Sequence, residues 1–126
     1  MAKQFTLGRQ QRLKSRKAID LLFSNGLRFS QPPLRVVYRK TKDIGLKFGV
    51  TASSRLFKKA VDRNRVKRIL REAWRLQKNE LDQQLKDKGQ GLDVFFIYTD
   101  NELPEFASIS KATATIIRKL NERING

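Results

Sequence analysis

Five apolar residues follow one another in the segment GLDVFFIYT, from Val94 to Tyr98. Successive side chains of a strand point to opposite faces, so an unbroken apolar run requires cover on both faces. Such a strand belongs to a layered fold in which helices pack on a sheet. The run therefore predicts a strand over 91–99 and an α/β arrangement around it.

Two further segments have the composition of strands. LRVVYRK (34–40) and IGLKFGVTAS (44–53) are rich in β-branched and aromatic residues. A turn at 41–43 predicts that they pair as a hairpin. A fourth, short strand near 28–30 is an optional addition to the three strands above.

Apolar residues at helical spacing predict three helices, over 16–24, 60–77 and 105–123. Ser15 is suited to cap the first helix, and Asn25-Gly26 to end it. The stretch LDQQLKDKGQG after the second helix reads as a polar exit from that helix.

The element order α-β-β-(β)-α-β-α predicts a single domain over 1–126. Its fold is of the α+β class: a small α/β sandwich with one mainly antiparallel sheet of about four strands and three helices. The first helix covers one edge or face of the sheet and leaves a groove beside it. Residues 1–12 are basic and weakly patterned, and we expect them to form a flexible arm.

The stretch KKAVDRNRVKRILREAWR, from Lys58 to Arg75, carries eight positive side chains and two negative ones. At about 100° per residue, one helix face is apolar and suited to the core: Val66, Ile69, Leu70, Ala73 and Trp74. The opposite face is polar and cationic: Asn64, Arg68, Arg71 and Arg75, flanked by Arg65 and Lys67, with Arg63 nearer the core. Arginine fits phosphate in two-point contacts, and few acids are available for pairing, so the pattern favours phosphate binding over an ordinary solvated face.

The charge of the chain is unevenly distributed. Residues 1–75 hold 21 basic and 4 acidic residues, whereas residues 76–126 hold 7 basic and 8 acidic ones. A field of this strength predicts a polyanionic partner that meets the first part of the chain. Nucleic acid, an anionic membrane surface and an acidic protein all satisfy this requirement.

Several function classes are excluded by what the sequence lacks. It contains neither Cys nor His, so it has no disulfide, no thiol nucleophile and no histidine base or metal ligand. No apolar run approaches the roughly 18 residues of a membrane span, and the N-terminus lacks the apolar core of a secretory signal. We expect a cytoplasmic protein, with an organelle transit peptide as the alternative interpretation of the basic N-terminus.

The ten residues RNRVKRILRE, from Arg63 to Glu72, closely resemble the signature of the bacterial ribonuclease P protein subunit. RLKSRKAIDLLFSNG (12–26), VVYRK, the strand end at 49–53, GLDVFFIYT and the final helix are similar to that family in order and spacing. The resemblance covers about residues 5–123.

This resemblance implies a fold in which the basic helix makes an uncommon left-handed crossover between parallel strands. It implies the protein subunit of a ribonucleoprotein that cuts the 5′ leader from precursor tRNA. Catalysis would belong to Mg²⁺ held by the RNA subunit, with no catalytic residue and no metal site in the protein. The expected partners are the catalytic RNA and precursor tRNA, without membrane or DNA.

The resemblance also implies two RNA surfaces. The surface for the catalytic RNA comprises the basic helix and the loop before it: Arg55, Lys58, Lys59, Arg63, Asn64, Arg65, Lys67, Arg68, Arg71 and Arg75. The leader-binding groove lies between the first helix and the sheet: Arg12, Lys14, Ile19, Phe23, Arg28, Val36, Tyr38 and Arg39. Aromatic rings stack on unpaired bases without strict sequence choice, although ordinary core packing equally explains Phe23 and Tyr38.

Two features depart from the family pattern. Ile19 stands where an aromatic residue is common, which weakens stacking at that position. The loop SSRLFKKA (53–60) lacks a glycine that is common before the motif helix, and it is one residue longer. We expect Arg55, Lys58 and Lys59 to keep an anion-binding role in this loop.

Three other functions fit parts of the pattern. A general RNA-binding or ribosomal-type protein would use the same basic helix without a leader groove, and its affinity would not depend on leader length. An anionic-membrane binder is disfavoured because the apolar stripe of the helix is needed as core. An independent protein nuclease is disfavoured because most acids lie in the C-terminal part, away from the basic face.

Overall fold

The computed structural model describes residues 12–13 and 15–125. Its elements in chain order are α1 (Arg16–Asn25), β1 (Leu27–Gln31), β2 (Leu34–Thr41), β3 (Gly45–Ala52), α2 (Ala60–Gln77), α3 (Asn79–Asp87), β4 (Gly91–Tyr98) and α4 (Phe106–Asn125). β1 confirms the optional short strand. None of the helices among these residues is long and apolar enough to cross a membrane.

The four strands form one sheet in the order β1-β2-β4-β3. β1 with β2 and β2 with β4 are antiparallel pairs, and β3 with β4 is a parallel pair. The sheet is therefore mainly antiparallel, as predicted. β4 lies inside it, and every residue from Gly91 to Phe96 is buried, which confirms the prediction of a strand covered on both faces.

The predicted hairpin between β2 and β3 is wrong. β4 lies between these two strands and pairs with both of them. The physical reason is the apolar run of β4, which buries both of its faces only at an interior position of the sheet. This requirement overrides the local turn signal at 41–43.

The prediction of three helices with a polar exit after the second is also wrong, because residues 79–87 form α3. Only two apolar residues mark this helix, Leu81 and Leu85, but they lie one turn apart and both are buried. The Asp82 carboxylate accepts a hydrogen bond from the Leu46 N–H at 3.0 Å. This bond ties α3 to the beginning of β3.

α2 and α3 together connect β3 to the parallel strand β4. The basic helix therefore belongs to a crossover connection, as the resemblance implied. The left-handedness of that crossover stays a prediction.

The two faces of the sheet are covered unequally. The main core lies between the sheet and α2, α3 and α4. The opposite face carries α1 and a smaller buried cluster of Leu13, Leu22, Val37 and Phe95, with Ala18, Ile19, Phe23 and Ile97 packed against it. One helix alone does not cover this face, which leaves a cleft open beside α1.

α1 is fixed at both ends. The Ser15 hydroxyl accepts a hydrogen bond from the Ala18 N–H at 3.3 Å, as predicted for the cap. At the other end, a Cβ on Gly26 would lie 2.4 Å from the Leu22 carbonyl oxygen and 3.0 Å from that of Tyr38. Glycine is required there because the chain passes so close to the backbone of α1 and β2.

Residues before α1 extend the sheet at its β3 edge. Arg12 forms a parallel bridge with Phe48, and the Leu13 N–H donates to the Phe48 carbonyl at 2.9 Å. Residue 12 thus belongs to the fold rather than to the predicted arm. Residues 1–11 of that arm lie outside the described residues.

Candidate nucleic-acid interface

The outward face of α2 carries cations in the arrangement that the helical projection predicts. Val66, Leu70, Ala73 and Trp74 are buried, so the helix presents its opposite side to solvent. The predicted RNA contacts there are exposed: Asn64, Arg65, Arg68 and Arg71, with Lys67 half-buried. Among the described residues, neither Arg65 nor Arg68 has a carboxylate partner. Their donors are available to an external anion.

Arg75, at the end of the same helix, differs from these residues. Its guanidinium donates to the carboxylate of Glu72 within the helix. That hydrogen bond is the main reason why the pKa of Arg75 lies above its ordinary value. Part of the Arg75 charge is therefore already engaged with an acid, unlike the charges of Arg65 and Arg68.

Arg63 also has partners within the protein. Its Nη1 atom donates to the carbonyl oxygens of Phe57 and Lys58, at 2.7 and 3.0 Å. These carbonyls belong to the loop that enters α2. The three cations predicted in that loop, Arg55, Lys58 and Lys59, are all exposed.

A cleft of about 270 Å³ opens on the α1 side of the sheet. It lies where the N-terminal segment, α1, β3, β4 and α2 meet. Its lining is an apolar floor with two arginines: Arg12, Leu13, Ile19, Phe48, Gly49, Val50, Arg71 and Phe95. Arg71 belongs both to this lining and to the cationic face of α2, so the two features are continuous.

Arg12 and Arg71 lie close enough to repel one another. The pKa of Arg71 is lowered, first by burial and then by the positive charge of Arg12. Among the described residues, no carboxylate forms an ion pair with either arginine. An anion held between the two guanidinium groups would relieve this repulsion.

The floor of the cleft depends on Gly49. A Cβ on this residue would lie 2.5 Å from the Phe95 ring, so glycine lets the ring lie against the β3 backbone. Phe95 in turn meets Phe23 of α1 edge to face, with ring centroids 5.1 Å apart. The aromatic pair thus lies on the α1 side of the sheet, next to the cleft.

The structure divides the predicted leader-groove residues between two faces. Arg12 and Ile19 line the cleft, and Phe23 packs beside it. Arg28 belongs to β1, and its guanidinium donates to the Phe23 carbonyl oxygen in the last turn of α1. Lys14 lies outside the described residues.

Val36 and Tyr38 depart from the predicted groove. Both are buried in the main core, on the face opposite α1, and Tyr38 accepts a hydrogen bond from Arg123 at 2.8 Å. Because side chains alternate along β2, the residue that faces α1 is Val37. The core-packing alternative describes Tyr38 correctly.

Arg39, the remaining predicted residue, lies on the α1 side of the sheet but outside the cleft. Arg39 of β2 lies opposite Asp93 of β4, and Asp93 lies opposite Lys47 of β3 on its other side. Burial raises the pKa of the Asp93 carboxyl, while the charges of Lys47 and Arg39 oppose that rise. Arg39 therefore takes part in a row of alternating charge instead of lining the cleft.

Sequence reasoning missed Val37, Gly49 and Phe95. The available signal was the period of two in β4, which places Phe95 and Ile97 on one face and Phe96 on the other. An all-apolar strand conceals that distinction until its neighbours are known.

The carboxylates of the described residues are scattered over the structure. No group of three or more carboxylates converges among them, and the sequence has neither His nor Cys. The chemistry available at the surface is that of cations, amides and aromatic rings.

Comparisons with known proteins identify the family. A family model described as Ribonuclease P matches residues 7–121. The chain is 36% identical over 111 residues to the Ribonuclease P protein component of Porphyromonas gingivalis, which covers 86% of this chain and 81% of that protein. A second strain of the same organism gives the same identity and coverage.

Solved structures share the fold. The RNase P protein of Staphylococcus aureus has a TM-score of 0.71 at 19% identity, covering 87% of this chain and 94% of that one. The RNase P protein of Thermotoga maritima has a TM-score of 0.68 at 22% identity, covering 86% and 96%. The chain therefore belongs to the ribonuclease P protein family.

Proposed function

We propose that this chain is the RNA-binding subunit of ribonuclease P, which removes the 5′ leader of precursor tRNA. The cationic face of α2 and the loop before it bind the catalytic RNA. The cleft beside α1 receives the single-stranded leader. The observation that carries this proposal is the position of Arg71, which belongs both to α2 and to the lining of the cleft.

The contents of the cleft support a nucleotide as its occupant. Its volume of about 270 Å³ admits one base, and the ring of Phe95 and the side chain of Ile19 offer apolar contacts to it. Arg12 and Arg71 are placed to hold the attached phosphate. Such contacts do not discriminate strongly among bases, which suits leaders of variable sequence.

Chemistry at the scissile phosphate is assigned to the RNA subunit and its Mg²⁺. Mg²⁺ is held by carboxylates or phosphates, with several waters retained, and the described residues supply no converging carboxylates. The protein contributes binding energy and neutralises RNA phosphates. Its proposed setting is the cytoplasm, where precursor tRNA is made.

The first experiment is cleavage of precursor tRNA by a bacterial ribonuclease P RNA at low Mg²⁺, with and without this protein. The protein should restore correct 5′ cleavage, and the Arg65→Ala/Arg68→Ala variant should not. Lys111→Ala is the matched control, because Lys111 is an exposed cation on α4, distant in sequence from the basic helix. Tight RNA binding without any change in cleavage would instead support a general RNA-binding protein.

The salt dependence of binding between this protein and a bacterial ribonuclease P RNA measures the number of phosphate contacts. Each phosphate contact contributes a slope of about 0.7 to 0.9 in the logarithm of affinity against that of salt. Arg65→Ala and Arg68→Ala should each lower the slope by about one such step. An unchanged slope would show that these side chains do not contact phosphate.

The leader site is tested by varying leader length. Precursor tRNA with a leader of several nucleotides should bind the holoenzyme more tightly than mature tRNA, and Gly49→Val should reduce that difference by pushing the Phe95 ring into the cleft. Thr51→Val, at the next position on the same face of β3, is the control. Equal affinities for the two RNAs with the unaltered protein would contradict a leader site.

A further inference from the structure

Arg63 lies near a helix end that disfavours positive side chains. It is the fourth residue of α2, close to the end of the helix where unsatisfied N–H groups create a partial positive charge. Lys59, the cap residue, makes no side-chain hydrogen bond to this end. This partial charge disfavours a positive side chain, and Asp62 is the acidic residue in the same turn.

The loop supplies the hydrogen-bond acceptors of the Arg63 side chain. Nη1 of Arg63 carries two hydrogens, and it donates to two successive carbonyl oxygens, those of Phe57 and Lys58. A single side chain therefore fixes two consecutive peptide groups immediately before the helix. Arg63 is half-buried in this position, whereas Arg65, two residues later, is exposed.

The preceding part of the loop forms a turn whose position relative to α2 depends on its connection to the helix. The Ser53 carbonyl accepts from the N–H groups of Leu56 and Phe57, and the Ser53 hydroxyl accepts from the Arg55 N–H. Phe57 is buried and stacks on Tyr98, with ring centroids 6.0 Å apart. The link that remains, from Phe57 to the beginning of α2, is the one that Arg63 holds.

We propose that Arg63 is a positioning residue, which binds the loop carbonyls of Phe57 and Lys58 and thereby presents the loop cations Arg55, Lys58 and Lys59 to RNA as a fixed set. Its own guanidinium does not bind RNA phosphate. The proposal rests on the proposed function, because it assigns the loop cations to the catalytic RNA. It separates Arg63 from Arg65 and Arg68, whose side chains have no carboxylate partner among the described residues.

Arg63 and Arg65 should therefore differ in how far their effect on RNA affinity depends on the loop cations. A mobile loop must be ordered when RNA binds, and that ordering subtracts from the affinity. The loss on removing Arg63 therefore arises through the loop cations. The loss on removing Arg65 arises from its own contact and is independent of them.

A double-mutant cycle measures this difference. Arg63→Met keeps the aliphatic stem and removes only the guanidinium, and it should weaken binding to a bacterial ribonuclease P RNA by about tenfold. In the background Arg55→Ala/Lys58→Ala/Lys59→Ala, the same substitution should cost less than about twofold, because few loop cations remain to be positioned. Arg65→Met should cost the same in both backgrounds. Equal losses for Arg63→Met in both backgrounds would show a direct RNA contact and overturn the proposal.

Hydrogen exchange without RNA tests the positioning directly. Arg63→Met should speed exchange of the Leu56 and Phe57 N–H groups, while Leu70 and Trp74 in the middle of α2 keep their protection. Retained protection at Leu56 and Phe57 would overturn the proposal even if the RNA partner is correct. Faster exchange at those two groups in a protein that does not bind the RNA would support the positioning role and contradict the proposed function. Loss of protection throughout α2 would show a role in folding and overturn the assignment.

Discussion

At the scale of single residues, Trp74 joins the basic helix α2 to the sheet. Its indole stacks on Phe48 with ring centroids 4.3 Å apart and meets Phe96 edge to face at 5.3 Å. The side chain has no solvent exposure. The cationic face of α2 therefore keeps its orientation through one large aromatic contact on the other side of the helix.

Replacing Trp74 with alanine should lower the free energy of unfolding by about 3–5 kcal/mol, because the change leaves a large cavity between α2 and the sheet. Urea unfolding followed by circular dichroism measures this loss. Leu76→Ala is the control, since Leu76 is 42% exposed on the same helix. A variant that keeps its stability but loses RNA binding would place the indole on RNA instead.

Asp93 gives the protein a specific pH dependence. Its carboxyl is buried and its folded-state pKa is raised above 3.8, mainly by that burial. The folded state thus binds the proton more strongly than the unfolded state does. This residue's contribution to stability is greatest below pH 3.8 and decreases as pH rises through the folded-state pKa.

Asp93→Asn should remove that decrease, because the amide stays neutral at every pH. Above the folded-state pKa, the variant should be more stable than the unaltered protein. Urea unfolding across the acidic range measures both proteins, and Asp87→Asn, at an exposed site on α3, is the control. Lower stability of Asp93→Asn at neutral pH would show that the attraction to Arg39 and Lys47 outweighs the cost of burial.

At the scale of elements, two cations of α4 contact the edge strand β1 and its neighbour β2. The guanidinium of Arg123 lies 4.9 Å from the Phe29 ring centroid and donates to the Tyr38 hydroxyl at 2.8 Å. Lys119, one turn earlier, lies 5.4 Å from the same ring and donates to Gln31 at 2.9 Å. These contacts hold α4 against the strand at the edge of the sheet.

Arg123→Met should lower the free energy of unfolding by about 1–2 kcal/mol, through loss of the cation–π contact and of the bond to Tyr38. Chemical unfolding measures the change. Arg118→Met is the matched control, because Arg118 is an exposed cation on the same helix. Equal effects of the two substitutions would show that the loss reflects net charge and not these contacts.

The elements also show where sequence reasoning succeeds and where it does not. α1, α2 and α4 were predictable because each has an apolar stripe at helical spacing. α3 was not, because Leu81 and Leu85 are its only buried apolar residues and their partners lie far away in the chain. The hairpin of β2 with β3 was predicted from a local turn, whereas the position of β4 between them is set by burial across the whole sheet.

The candidate site likewise has a part that could be predicted from the sequence and a part that could not. The face of α2 follows from its own period, so its exposed cations were predictable one by one. The floor of the cleft required the register of β2 against β4, and a shift of one residue exchanges the two faces of a strand. Val36 and Tyr38 were therefore expected where Val37 lies.

At the scale of the whole molecule, the excess of positive charge lies in the first part of the chain. Residues 1–75 carry 21 basic side chains against 4 acidic ones, and they contribute every cation of the two proposed RNA surfaces. Residues 76–126 carry no such excess of either sign. They supply the interior strand β4 and two of the helices that cover the main core, α3 and α4.

The position of β4 in the chain has a consequence for synthesis on the ribosome. β4 is the last strand to be made, yet β2 and β3 meet only through it. The nascent chain thus exposes its arginine-rich part before the sheet can close. A fragment ending at residue 90 should show no cooperative urea transition and a solvent-exposed Trp74 fluorescence, whereas one ending at residue 126 should fold. A cooperative transition in the shorter fragment would mean that the earlier segments assemble without their interior strand.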